Sequence, residues 1–91
     1  MEVWKFTIDR GLVDQCVHMP AGAVIISVQR QHGEVGIWAI VHPEEEDFEV
    51  FRFRIVVTGL DDPALDDPKW RYRATCVWEQ DRYVCHVFEE V

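Results

Sequence analysis

The chain is poor in positive charge, with 9 Lys and Arg against 17 acids, and it has no apolar run near the ~20 residues that cross a bilayer. It also has no Cys-x-x-Cys pair, no basic-then-apolar leader and no stretch of helical periodicity as long as ten residues. Each absence excludes a class. The net charge of -8 opposes phosphate backbones and anionic lipid, so neither direct nucleic-acid binding nor a membrane partner is expected. The three cysteines, Cys16, Cys76 and Cys85, are odd in number and lack zinc spacing, which with no leader fits a reducing cytoplasm.

What is present is apolar and strongly alternating. Ninety-one residues make one domain, 1–91, and 48% of them are hydrophobic, including four Trp and five Phe. The clearest pattern runs from Ala23 to His42. Val24, Ile26 and Val28 alternate on one arm and Val35, Ile37, Ala39 and Val41 on the other, with His32-Gly33 fitting a two-residue turn. This turn sets Gln31 against Glu34, Val28 against Ile37, Ile26 against Ala39 and Val24 against Val41.

The flanking segments read the same way. Val3–Ile8 puts Trp4, Phe6 and Ile8 on one face, and Gln15–Met19 is a second short strand ended by Pro20-Ala21-Gly22. Phe48–Thr58 alternates Phe51, Phe53, Ile55 and Val57 against Val50, Arg52, Arg54 and Val56. Leu60–Lys69 carries two Asp-Asp-Pro triplets, with room for a brief helical turn at Pro63–Asp66. Trp70–Trp78 and Arg82–Glu89 form a second hairpin that pairs Trp78 with Tyr83, Cys76 with Cys85 and Ala74 with Val87. The pattern predicts an all-β fold, a small antiparallel sandwich or closed barrel of six to seven short strands.

Several short phrases occur in order: Glu2-Val3-Trp4-Lys5-Phe6, Met19-Pro20-Ala21-Gly22-Ala23, Val28 to Gly33, Ile37-Trp38-Ala39-Ile40-Val41, Thr58-Gly59 and Cys85-His86-Val87-Phe88-Glu89. Together they resemble a family of short proteins encoded by bacteriophages and prophages. The resemblance implies a phage context. It brings no activity, cofactor or catalytic residue that could be carried onto this chain.

The side chains able to do chemistry are few. His18, His32, His42 and His86 are the acid or base candidates, yet no nucleophile elbow, phosphate-cradling glycine loop or His-Glu-x-x-His helix accompanies them. Catalytic residues and cofactors are therefore not expected. Asp61, Asp62, Asp66 and Asp67 offer oxygen ligands, but Pro follows each pair and the loop lacks the glycine and bidentate carboxylate of a calcium loop. A solvated turn is expected there, and no metal. Cys76 and Cys85 read as two small buried side chains, with a disulfide between them geometrically open.

Two charged features remain. Glu44, Glu45, Glu46 and Asp47, with Asp61, Asp62, Asp66 and Asp67, form acidic loops on either side of the Phe48–Thr58 strand. Arg52 and Arg54 share one face of that strand, and Arg71 and Arg73 one face of the next. If the two strands are neighbours, these make an anion-binding stripe beside Trp70. Trp38 is either second-layer core or an exposed aromatic anchor.

The leading expectation is a non-enzymatic acidic binding protein whose loops meet the basic surface of a host protein, in a phage context an antiviral-defence target, with an anti-CRISPR-like role. The alternatives are a nucleotide or small-anion sequestering protein built on the arginines, and a minor phage structural or assembly protein. Unpaired sheet edges leave room for a homodimer.

Overall fold

Short alternating runs, each with one apolar face, must stack that face against another sheet, and the computed structural model of residues 1–91 pairs them into two antiparallel layers. The strands are β1 (Glu2–Ile8), β2 (Asp14–Pro20), β3 (Val24–Gln31), β4 (Glu34–Val41), β5 (Phe48–Val57), β6 (Trp70–Trp78) and β7 (Tyr83–Glu90), with a 3-10 turn at Pro63–Asp66. One sheet has the order β1-β4-β3 and the other β2-β5-β7-β6. The fold is an all-β sandwich, and its strands β1, β3, β2 and β6 are left as edges.

The core lies between the layers and is built from the predicted inward faces. Central β4 buries Val35, Ile37, Ala39 and Val41, and the facing sheet supplies Phe53, Ile55, Cys76, Cys85 and Val87. Met19 and Ile8 close it at the sides. Phe53 is fully buried, so truncation to Ala would cost about 3–5 kcal/mol.

The second hairpin has the expected register, with Trp78 opposite Tyr83, Cys76 opposite Cys85 and Ala74 opposite Val87. The first keeps it only near the turn. Gln31 faces Glu34 and Val28 faces Ile37, but Ile26 is an extra residue, so Ile25 faces Ala39 and Val24 faces Ile40. This corrects the expected pairing of Ile26 with Ala39 and of Val24 with Val41. A bulge reverses the alternation beyond it. Ile25 therefore turns toward the core, while Val24 and Ile26 are exposed.

The turns divide the sandwich into two ends. At one, Trp78 Nε1 donates to the His32 carbonyl and the Tyr83 hydroxyl to the Arg10 carbonyl, joining the β3–β4, β6–β7 and β1–β2 turns. At the other, the Ala21 N–H donates to the Asp47 carbonyl at 2.8 Å, joining the β2–β3 turn to the β4–β5 loop.

Candidate functional site

The β4–β5 loop holds its shape through local bonds. Glu45 N–H donates to the His42 carbonyl at 3.0 Å, and the Glu45 carboxylate accepts the Asp47 N–H at 3.1 Å. Glu49 accepts the Gly22 N–H at 2.6 Å. None of Glu44, Glu45, Glu46 and Asp47 forms an ion pair. Four neighbouring carboxylates are thus compensated by no cation, and their field extends outward over about a Debye length, ~8 Å at physiological salt.

Beside this loop lie two apolar side chains that the fold leaves uncovered. Phe48 is 63% exposed and Val50 55% exposed, on the outer face of β5, where they pair with Pro20 and His18 of β2. An aromatic anchor next to unpaired charge has the composition of a protein interface, an apolar centre with a polar rim. Sequence reasoning passed over both residues, although alternation already placed Val50 on the face opposite Phe51 and Phe53.

The second acidic segment behaves differently. After β5 it folds back across the outer face of its own sheet instead of extending from the end. Asp62 caps the 3-10 turn by accepting the Ala64 N–H at 2.9 Å and pairs with Arg54 Nε at 2.9 Å. Burial pushes the Asp62 carboxyl up, but the Ala64 N–H and the Arg54 guanidinium outweigh it and hold the group below the ordinary carboxylate range. Asp67 accepts the Lys69 N–H at 3.0 Å and lies 4.0 Å from Lys69 Nζ. Asp61 and Asp66 are exposed and form no ion pair. Of the eight expected partner-binding acids, Asp62 and Asp67 are therefore the two that pair with cations of the chain.

The arginine stripe does not assemble. Strand β7 lies between β5 and β6, so Arg52 and Arg54 are separated from Arg71 and Arg73 by Glu89 and Glu90. Arg52, Arg54 and Trp70 do line one shallow pocket of about 200 Å³ with Lys69, but Asp14 and Asp67 line it too. Arg54 is held by Asp14 at 3.0 Å and by Asp62; Arg52 and Lys69 lie 4.0 and 3.7 Å from Glu90. Arg73 is the extra residue of a bulge in β6 and pairs with Glu89 at 3.4 Å. Arg71 is exposed and unpaired. The cations that were to hold an anion mostly hold this chain's own carboxylates.

Two further groups have defined partners. The thiols of Cys76 and Cys85 are free and buried. Donating its hydrogen to Cys76, with burial, pushes the Cys85 thiol far above its ordinary range, which keeps it protonated and a poor nucleophile. His86 bridges Thr58 (Nε2 to Oγ1, 2.8 Å) and Thr75 (Nδ1 to Oγ1, 2.9 Å), and Thr75 also meets the Tyr72 hydroxyl at 2.7 Å. This chain of hydroxyls fixes the outer face of β6 and β7.

No helix is long and apolar enough to cross a membrane. A family model described as a domain of unknown function, DUF7352, matches residues 1–91. No curated protein and no solved structure matches the chain.

Proposed function

We propose that the chain, which belongs to the DUF7352 family, is a non-enzymatic acidic binding protein that docks through the β4–β5 end onto a basic surface of another protein. The observation that carries this reading is the exposed Phe48–Val50 pair beside Glu44, Glu45, Glu46 and Asp47, none of which has a cation within the chain. Like charges held together without a counter-ion disfavour the isolated chain slightly and favour encounter with a cationic partner. Phe48 then supplies the buried anchor that holds the complex.

The resemblance of its short phrases to bacteriophage and prophage proteins favours a host protein as the partner, and a component of antiviral defence as its class. The protein would act in the host cytoplasm. Asp62 and Asp67 shape their own loop.

The experiment is capture of host proteins on tagged wild type, on Glu44→Lys/Glu46→Lys/Asp47→Lys and on Phe48→Ser, with low-salt and high-salt washes. The reading requires one protein enriched on wild type, reduced by salt and lost with both variants. Equal capture by all three chains would end it.

A further inference from the structure

The largest concavity lies at the opposite end, an open groove of about 960 Å³ around the β3–β4 and β6–β7 turns. It owes nothing to the acidic docking surface. One wall is Trp38, which points outward from the central strand β4 and is half-buried. Its indole lies flat on the sheet because Gly36 carries no side chain: a Cβ there would sit 2.6 Å from Trp38 Cη2. An aromatic ring laid flat beside an open groove is a stacking platform.

The rest of the lining is polar and planar. Gln29 and Gln31 stand on β3 on the same face as Trp38. Gln29 Nε2 donates to Ser27 Oγ at 2.8 Å, which leaves the Gln29 carbonyl free. Gln31 Oε1 is the one buried side-chain polar atom in the chain with no hydrogen-bond partner. That oxygen packs beside Gly36 and the edge of the indole and is closed to solvent, so it braces the Trp38 ring and does not itself face the groove. Arg30 lines the groove from the opposite face of β3, where it pairs with Val35, and forms no ion pair, while Arg10 is bound to Asp81 and stacked 4.7 Å from the Trp78 ring.

Charge selects the ligand. The groove's two cations, Arg10 and Arg30, are balanced by its two carboxylates, Glu79 and Asp81, so on a chain of net charge -8 nothing in the groove favours a phosphate. The complementary ligand is neutral, has one apolar face for the indole, and carries groups that both donate and accept toward amide and guanidinium edges. A pyranose ring has this chemistry: its axial C–H groups form the flat face and its hydroxyls ring the edge. The geometry points to a carbohydrate-binding groove, in which a sugar of a neutral glycan stacks on Trp38 and is held by the Gln29 amide on the same face.

The test is tryptophan fluorescence and amide NMR titration of the full chain with maltohexaose, cellohexaose, xylohexaose and chitohexaose. Each is taken to about 10 mM, tenfold above a millimolar Kd. AMP is the competing probe. Saturable shifts at Gln29 with at least one glycan are expected, weakened about tenfold or more in Trp38→Ala and several-fold in Gln29→Ala. Because both side chains face outward, an unchanged amide spectrum elsewhere will show that the variants fold. Saturation by AMP alone, shifts that survive Trp38→Ala, or no shift with any of the four glycans would each overturn the assignment.

Discussion

Arg73 Nη2 donates to the main-chain carbonyl of Ile25 at 3.2 Å, linking two edge strands that each carry a bulge at this level of the sandwich. The bulges turn β3 and β6 toward one another, and Arg73 ties them while pairing with Glu89, whose side chain is mostly buried. Arg73→Ala leaves that carboxylate without its partner and is expected to cost about 1–3 kcal/mol. Urea denaturation measures it, and a midpoint equal to wild type would show that the link contributes nothing.

Asp62 makes stability depend on pH in a stated direction. Its folded pKa is below the unfolded one, so its contribution is present above the unfolded value, about 3.9, and is lost as pH falls through the lower folded value. Asp62→Asn removes that dependence. The two proteins should differ by about 1 kcal/mol at pH 6, the size of a helix-cap and exposed-pair contribution, and converge near pH 2. A gap that persists at low pH would assign the effect to shape instead of charge.

Gly36→Ala places a methyl where Trp38 lies. The indole must lift from the sheet, so its emission should shift to the red. Stability should fall by about 1–3 kcal/mol, as for an overpacked site. Unchanged emission would mean that the ring does not rest on Gly36.

His32 adopts a φ of +51° in the β3–β4 turn, a left-handed conformation that a side chain disfavours. Its carbonyl is held by Trp78, so the turn cannot relax. His32→Gly should stabilise the protein by about 0.5–1 kcal/mol, read as a higher Tm. A lower Tm would show that the imidazole makes a contribution larger than the strain.

The unpaired and paired acids should separate under charge reversal. Glu44→Lys, Glu46→Lys and Asp47→Lys each remove repulsion and break no ion pair, so each should change stability by no more than about 0.5 kcal/mol. Asp62→Lys places a cation against Arg54 and should destabilise by clearly more. Equal effects in thermal denaturation would remove the distinction between the two acidic segments.

Much of the architecture was legible from particular residues. Val35, Ile37, Ala39 and Val41 alternate without interruption, and β4 buries all four. The Trp78/Tyr83 and Cys76/Cys85 pairs followed from closing one turn, and the Pro63–Asp66 turn from proline and aspartate chemistry. The bulge at Ile26 was not legible, because Val24, Ile25 and Ile26 are all apolar and either face of the strand satisfies the pattern. Nor was the engagement of Asp62, since an Asp-Asp-Pro triplet is equally a solvated turn and a cap over Arg54.

The sequence by itself determined an all-β chain, the number and order of its strands to within a residue at their ends, and the inward face of its central strand, because period-two alternation and turn residues act locally. Only the tertiary structure decided the strand order that puts β7 between the arginines, which carboxylates are left without cations, and the meeting of Trp38 with Gln29 at one groove. Those outcomes depend on which strands become neighbours and on how the sheets stack. Both are settled by burying every apolar face at once, a global condition that no short stretch of the chain encodes.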